Sequence, residues 1–213
     1  THKAYNRVRE SNFSLERLTG FNLKGKTVGV IGTGKIGTEF CHKMIGLSCN
    51  VVAQDPYPND QLTKAGVKYV ETEELFKESD IISLHCPLTP ESKHMINRNT
   101  IKQMKHGVML INTSRGGLIK TKDAIKGLKK GRIGYLGIDV YEQEEGLFFK
   151  DLSENIVQDE DIMRLMSFPN VLITSHQAFF TREALEEIAT TTIQNIRDFK
   201  NQKPLENEVL PKQ

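Results

Sequence analysis

The stretch Thr27-Val28-Gly29-Val30-Ile31-Gly32-Thr33-Gly34-Lys35-Ile36-Gly37 decides the fold of this chain. Its first five residues are an almost continuous apolar run, which predicts a strand that is buried on both faces. Three glycines follow with the spacing G-x-G-x-x-G, and a helical pattern extends from Lys35 to Gly46. A glycine loop between a buried strand and a helix is typical of dinucleotide-binding domains, so the stretch predicts a cofactor site.

Each glycine of this loop has its own reason to be there. Gly32 permits a tight turn, Gly34 lets the backbone approach a pyrophosphate, and Gly37 lets helix and strand pack closely. The pyrophosphate would lie at the positive end of the helix. Asp55 ends the next apolar run, roughly 20 residues further on, where a carboxylate binds an adenosine ribose and repels a 2′-phosphate. The predicted cofactor is therefore NAD. An ordinary tight turn is the alternative, which the spacing and the distal acid both disfavour.

The rest of the chain alternates short apolar runs with helical patterns. The apolar runs predict strands at 27–31, 50–53, 80–84, 108–111, 135–138 and 171–174. Helical patterns lie near 35–46, 72–77, 98–104, 121–130 and 181–200, and a short helix is expected near 159–166 within the long acidic segment 142–170. Strand–helix alternation implies right-handed crossovers. The predicted fold class is α/β, a Rossmann-like doubly wound parallel sheet.

The composition excludes several classes of function. The 213 residues are 38% hydrophobic and 26% charged, with a formal net charge of +2, which is ordinary for a soluble globular protein and too small to imply a nucleic-acid partner. No apolar run approaches the roughly 20 residues needed to span a bilayer, so no membrane partner is expected. Cys41, Cys49 and Cys86 form no zinc-binding spacing, so we expect free thiols, no metal and a cytoplasmic protein. The basic run from Lys120 to Arg132 is interpreted as a solvated helix face.

Polar side chains follow the predicted strands at the ends where doubly wound sheets bind their ligands. These candidates are His85, Arg115, Asp139, Glu142, Glu144 and His176. Hydride attack on a ketone needs a proton donor, and histidine titrates closest to neutral pH. A guanidinium binds a carboxylate through two parallel hydrogen bonds. Together these groups suggest hydride transfer to a small 2-oxo acid.

The arginine and the acids also have structural interpretations. Arg115 could be a surface arginine, although the Gly-Gly that follows it favours close backbone approach to a ligand. Glu144 could be a solvated loop acid, and sequence alone barely separates it from Glu142 and Glu145. Asp139 could simply hold a turn.

The histidines also have more than one interpretation. His176 could be a hydrogen-bonded core histidine, but its position at the end of a strand favours a role in catalysis. His85 has the same kind of position, so it is a rival proton donor. His42, His94 and His106 lie on predicted helices or turns and are interpreted as structural.

The motifs taken together resemble those of the D-isomer-specific 2-hydroxyacid dehydrogenases, and within them the D-lactate dehydrogenase branch. Besides the glycine loop, the resemblance rests on Asn12-Phe13-Ser14-Leu15, Leu18-Thr19-Gly20-Phe21, Asp55-Pro56-Tyr57-Pro58, 82–90, Asn112-Thr113-Ser114-Arg115-Gly116, Asp139-Val140-Tyr141-Glu142-x-Glu144 and His176-Gln177-Ala178-Phe179. It implies that Arg115 binds substrate, that His176 is the acid/base and that Glu144 is its partner. It also makes His85 only a neighbour of the cofactor. The implied cofactor contacts are Gly32, Gly34, Lys35, Ile36, Gly37, Asp55, Cys86, Pro87, Thr113, Ser114, Arg115 and Asp139.

The resemblance also implies an organisation and an activity. Residues 1–20 are expected to be an interdomain helix and linker, 21–180 an NAD-binding domain, and 181–213 a helix and tail that return to a mostly missing flavodoxin-like substrate domain. The implied activity is reversible hydride transfer between NADH and pyruvate, giving D-lactate, in a homodimer formed through the NAD-binding domain. We expect this chain by itself to bind NAD with weak or no turnover. The alternative is a non-catalytic NAD-binding sensor or co-repressor-like module, which need not keep Arg115, Glu144 and His176.

Overall fold

The computed structural model describes residues 2–209 of the chain. The predicted linker begins at Thr1 and the predicted tail includes 210–213, so the outermost residues of both predictions lie outside the described part. Within that part, one seven-stranded parallel sheet carries a hydrophobic core on each face. The predicted α/β, Rossmann-like doubly wound fold is confirmed.

Six of these strands coincide with the predicted apolar runs. In chain order the strands are β1 (Thr27–Ile31), β2 (Asn50–Gln54), β3 (Lys68–Tyr69), β4 (Ile81–Leu84), β5 (Val108–Asn112), β6 (Ile133–Ile138) and β7 (Val171–Ile173). Sequence reasoning misses β3, because two residues at the sheet edge give no apolar run to recognise.

The strand order across the sheet is β3-β2-β1-β4-β5-β6-β7. β1 and β4 are neighbours although β2 and β3 lie between them in the sequence, so the chain changes direction across the sheet at this point. In open α/β sheets, ligands bind in the crevice outside the carboxyl ends of the strands at such a switch point. The glycine loop follows β1 and therefore lies at this crevice.

The helices predicted from the sequence are present, with small differences at their ends. In chain order, the helices of the described residues are α1 (His2–Arg9), α2 (Lys35–Gly46), α3 (Asp60–Lys64), α4 (Thr72–Glu78), α5 (Arg98–Gln103), α6 (Thr121–Lys129), α7 (Glu160–Met166) and α8 (Arg182–Lys200), with a 3-10 turn at Gly116–Leu118. Sequence reasoning does not predict α3, a single short helix whose start is capped by the Asn59 side chain. Thr181 caps α8 as expected, accepting from the Ala184 N–H.

The core has two layers, one on each face of the sheet. α4 to α7 cover one face, where Phe76, Leu110 and Ile133 are buried. α2 and α3 cover β1 and β2 on the other face through Cys41 and Leu62. Because both layers pack on the central strands, the loops at the carboxyl ends of these strands start from defined positions.

The first and last helices contribute little to this core. Neither α1 nor α8 has a buried residue. The predicted apolar stripe of α8 is present but exposed, from 40% at Leu185 to 75% at Phe199. Among the helices of residues 2–209, none combines the length and the apolarity that crossing a membrane requires.

Candidate active site

The glycine loop is packed too tightly for side chains at two of its three glycines. Gly32 has φ of 93°, and a Cβ there would lie 2.6 Å from the backbone nitrogen of Cys86. A Cβ on Gly37 would lie 2.0 Å from the carbonyl oxygen of Gly32. By contrast, Gly34 faces open space at the start of α2. The loop is therefore closed on the side of the protein and open on the side where a ligand would lie.

Asp55 is fixed at the edge of this opening by two backbone groups. Its Oδ2 accepts from the Thr33 N–H at 2.6 Å, and its Oδ1 accepts from the Tyr57 N–H at 2.8 Å. Thr33 is held in turn by the Tyr69 hydroxyl, which lies 3.0 Å from its Oγ1. A carboxylate can accept about four hydrogen bonds, so Asp55 keeps capacity for the hydroxyls of a ribose.

These residues fit a dinucleotide. The first turn of α2 begins at Gly34 without a side-chain cap, so its N–H groups face the opening and suit a pyrophosphate. Lys35 and Ile36 are both exposed there, Ile36 to 73%. The acid at the end of β2 and the open glycine at the start of α2 thus provide the two features that a bound NAD requires.

His85 lies below the glycine loop and is poorly placed as a proton donor. Its ring packs against Phe40, with centroids 4.9 Å apart, and its Nε2 lies 2.9 Å from the Ser83 hydroxyl. Burial lowers the pKa of His85 to about 4. A histidine that stays neutral near pH 7 cannot supply a proton readily. This disfavours His85 as an alternative to His176 in the role of proton donor.

The loop after β5 is fixed by the buried side chain of Asn112. Its Nδ2 donates to the carbonyl oxygen of Arg115 at 2.9 Å, and its Oδ1 accepts from the Ser114 N–H at 3.1 Å. The Ser114 hydroxyl donates to the carbonyl oxygen of Cys86 at 2.6 Å, which joins this loop to the one after β4. The predicted segments Cys86-Pro87 and Thr113 to Arg115 therefore lie side by side. The Arg115 side chain is exposed.

Asp139 anchors the loop that follows β7. It is 4% exposed, and its carboxylate accepts from the Thr174 hydroxyl, the Gln177 N–H at 3.0 Å and the Ala178 N–H at 2.8 Å. Its carbonyl oxygen also accepts from the His176 N–H at 2.7 Å. Asp139 thus holds a turn, and that turn carries His176. Its predicted contact with the cofactor stays a prediction.

The structure brings His176 and Glu144 together. Nδ1 of His176 lies 3.0 Å from Oε1 of Glu144, and the two side chains are 30% and 27% exposed. Oε2 of Glu144 accepts from the Tyr141 N–H at 3.0 Å, which fixes the carboxylate from the other side. His176 has φ of 55°, a backbone conformation that a non-glycine residue rarely adopts. The pair is partly buried but accessible at the crevice.

The two neighbouring acids are excluded from this pairing by their positions. Glu142 points the other way and pairs with His94, with Oε1 2.5 Å from Nε2. Glu145 is exposed. The choice among the three acids, which sequence alone barely separates, is therefore decided by the path of the backbone after Tyr141.

Two contacts of the site have no signal in the sequence. The Phe149 ring lies 5.8 Å from the ring of His176, although it belongs to the irregular segment between β6 and α7. The pairing of His94 with Glu142 joins distant parts of the chain, and sequence reasoning treats His94 only as a structural histidine. Neither Phe149 nor His94 belongs to a motif with a fixed spacing.

A glycine loop between strand and helix, with a histidine–glutamate pair at the same edge of the sheet, is typical of a dinucleotide-dependent dehydrogenase domain. Residues 1–178 match the family model described as the D-isomer specific 2-hydroxyacid dehydrogenase, NAD binding domain, and the chain belongs to that family. This confirms the family suggested by the motifs and identifies NAD as the cofactor.

Relatives and solved structures agree with this assignment. The chain is 51% identical over 209 residues to the D-lactate dehydrogenase of Escherichia coli (strain K12), covering 98% of this chain and 64% of that protein. It is similar to the pyruvate reductase of Chlamydomonas reinhardtii, with a TM-score of 0.94 and 47% identity, covering 97% of this chain and 63% of that one. A D-lactate dehydrogenase from Aquifex aeolicus, complexed with NAD and lactic acid, has a TM-score of 0.86 and 37% identity, with coverage of 94% and 61%. The chain thus spans a little under two thirds of the length of these relatives.

Proposed function

We propose that the protein to which this chain belongs is an NAD-dependent D-lactate dehydrogenase, which reversibly reduces pyruvate to D-lactate with NADH. The observation that carries the proposal is the His176–Glu144 pair, which lies in the loops after two neighbouring strands at the NAD-binding edge of the sheet. The names of several relatives support the substrate, since they are D-lactate dehydrogenases.

His176 is the proposed acid/base. Glu144 binds Nδ1, so the other ring nitrogen, Nε2, is the one that serves the substrate. Glu144 orients the ring, and the protonated imidazole donates a proton to the developing alkoxide when pyruvate is reduced. In the reverse direction the neutral imidazole accepts the hydroxyl proton of D-lactate. Bound nicotinamide supplies or accepts the hydride.

Arg115 is the proposed substrate-binding residue. Its side chain is exposed in the loop after β5, and the next two strands of the sheet, β6 and β7, lead to Glu144 and His176. Two parallel hydrogen bonds to the substrate carboxylate would orient the carbonyl carbon for hydride transfer. Arg115 thereby selects 2-oxo acids over simple ketones.

The cofactor contacts are proposed from the same loops. The opening above the start of α2 and the segments after β2, β4, β5 and β6 surround one crevice. The proposed NAD contacts are Gly32, Gly34, Lys35, Ile36, Gly37, Asp55, Cys86, Pro87, Thr113, Ser114, Arg115 and Asp139.

We also propose the domain organisation and a homodimer. Residues 1–20 are a linker, 21–180 the NAD-binding domain, and 181–213 a segment that packs on a further, flavodoxin-like domain; the exposed apolar stripe of α8 supports the last assignment.

A broad groove between α1 and the uncovered part of the sheet, where Tyr135 is 43% and Leu172 is 45% exposed, supports a dimer formed through the NAD-binding domain. The cytoplasm is the proposed location.

The test is His176→Ala in the full-length gene product. We expect the turnover of pyruvate to fall by about 10²- to 10⁴-fold, the usual contribution of general acid–base catalysis. NADH binding, followed by fluorescence in the same samples, should change little. His106→Ala is the matched control, because His106 is exposed at the amino end of β5, away from the site. Normal turnover in the His176 variant would contradict the assigned role. NADH binding by the unaltered gene product without any turnover would favour the sensor or co-repressor-like module instead.

A further inference from the structure

A second histidine–glutamate pair lies behind the loop that carries Arg115. Nε2 of His94 is 2.5 Å from Oε1 of Glu142, and the two side chains are 30% and 24% exposed. The pair is separate from His176 and Glu144, and the proposed reaction leaves it without a role. The hydrogen bonds of Glu142 and of His94 show which segments of the chain the pair joins.

Glu142 joins the end of β6 to the start of α6. Its Oε2 accepts from the Thr121 N–H at 3.0 Å while its Oε1 binds His94. Burial alone would raise the pKa of Glu142, but the hydrogen bonds from Thr121 and His94 outweigh burial and hold that pKa below its usual range. Glu142 is therefore ionised at neutral pH and has a donor on each oxygen.

His94 joins the same acid to the loop that follows Arg115. Its backbone N–H donates to the carbonyl oxygen of Gly117 at 2.8 Å, and its own carbonyl oxygen accepts from Asn97 Nδ2 at 2.9 Å. His94 has φ of 55°, so its backbone is fixed in the left-handed region. The residue thus contacts Glu142 through its ring and the arginine loop through its backbone.

Gly116, the residue next to Arg115, lies directly against the backbone of Tyr141 and Glu142. A Cβ on Gly116 would lie 2.1 Å from the carbonyl carbon of Tyr141 and 2.5 Å from the backbone nitrogen of Glu142. The arginine loop and the segment that leads to Glu144 are therefore in backbone contact. A small shift of one against the other would move Arg115 relative to Glu144.

We propose that His94 and Glu142 form a clamp that fixes the distance between the Arg115 loop and the Glu144–His176 pair, and that both are positioning residues for the carboxylate of a 2-oxo acid substrate. The inference rests on the proposed function of Arg115. Bidentate binding of a carboxylate has strict geometry, and misplacement by about 1 Å is enough to cost a large part of the rate. Loss of the clamp therefore weakens substrate binding, while the proposed NAD contacts at the glycine loop and Asp55, which lie outside the clamped segments, stay in place.

The first test uses kinetics of the full-length gene product with pyruvate and NADH. His94→Asn is the informative variant, because asparagine tolerates positive φ but is too short to reach Glu142. We expect the KM for pyruvate to rise about tenfold, equivalent to ~1.4 kcal/mol, with the KM for NADH within about twofold of the original. His94→Gln, which restores a donor of similar reach, should recover most of the affinity for pyruvate. The double variant with Glu142→Gln should be no worse than the poorer single variant, because both remove one interaction.

The second test needs no turnover. Amide hydrogen exchange is measured on this chain without ligands, and His94→Asn should speed exchange at 114–118 while β1 stays protected. Lys105→Ala is the matched control, since it breaks the ion pair with Asp80 at the opposite end of the sheet and should leave exchange at 114–118 unchanged. Faster exchange at 114–118 supports the clamp even if pyruvate turns out not to be the substrate. Unchanged exchange together with an unchanged KM for pyruvate, or an equal rise in both KM values, would overturn the proposal.

Discussion

Nδ1 of His176 lies 3.0 Å from Oε1 of Glu144, whose other oxygen accepts from the backbone N–H of Tyr141. The carboxylate is therefore fixed from two directions and fixes the imidazole in turn. This matters because the backbone of His176 is itself held by Asp139, so ring and backbone are positioned independently. Contacts within the chain therefore preorganise the pair.

Glu144→Gln should slow the reaction without weakening cofactor binding. Glutamine keeps the size of the side chain but removes the negative charge beside the ring of His176. We expect kcat for pyruvate reduction to fall about 10- to 100-fold, within the usual range for acid–base catalysis, measured with the full-length gene product at saturating NADH. Glu145→Gln is the control, because Glu145 is exposed. Equal kcat values for both variants would show that the pair has no role in proton transfer.

Gly37→Ala and Gly34→Ala should separate stability from binding. A Cβ on Gly37 meets the backbone oxygen of Gly32 at 2.0 Å, so this variant should lose about 1–3 kcal/mol of the free energy of unfolding. A Cβ on Gly34 meets nothing within 4 Å, so that variant should fold normally. It should nevertheless bind NADH more weakly, because the added methyl group occupies the ligand side of the loop. Urea denaturation and NADH titration of this chain measure the two effects. Normal NADH affinity in Gly34→Ala would place the pyrophosphate elsewhere.

Asp55→Asn should relax the preference for NADH over NADPH. The amide has no charge to repel a 2′-phosphate and accepts fewer hydrogen bonds from a ribose. We expect NADH affinity to fall about tenfold, or ~1.4 kcal/mol, and NADPH affinity to rise relative to it. Fluorescence titration of this chain with each nucleotide measures the ratio. Asp60→Asn, a change at an exposed position in the first turn of α3, is the control. A ratio that matches this control would remove Asp55 from the cofactor site.

His85 should make the stability of this chain depend on pH between about 6.5 and 4. Burial lowers the pKa of His85 to about 4, whereas an unfolded chain protonates a histidine near pH 6.5. In this window the unfolded state binds more protons, so the free energy of unfolding decreases as the pH falls. The loss attributable to His85 is at most about 3 kcal/mol.

The comparison variant for this effect is His85→Phe, which keeps an aromatic ring against Phe40. Urea denaturation at several pH values should give a shallower decline in the variant, while carboxylates elsewhere affect both proteins alike. Parallel declines would mean that His85 is protonated in the folded state at the same pH as in the unfolded one.

Most of the fold follows from local patterns in the sequence. The apolar run at 27–31 and the glycines after it predict β1, the turn and α2, because each feature depends on residues close together in the chain. The features that sequence reasoning misses are short or lie at the edge of the sheet. β3 has two residues and α3 has five, and neither shows a period long enough to recognise.

The features of the site likewise fall into those that local sequence predicts and those that depend on tertiary contacts. The sequence by itself determined the NAD loop, its tight glycines and the acid at Asp55, since strand, turn and helix are contiguous. Only the tertiary structure decided that Glu144 meets His176, that Glu142 meets His94, and that His85 is half-buried against Phe40. These pairings join segments far apart in the chain, and they depend on the order of β4 to β7 and on the path of each loop after its strand. No local spacing encodes a contact of that kind, because its geometry exists only once the sheet has formed.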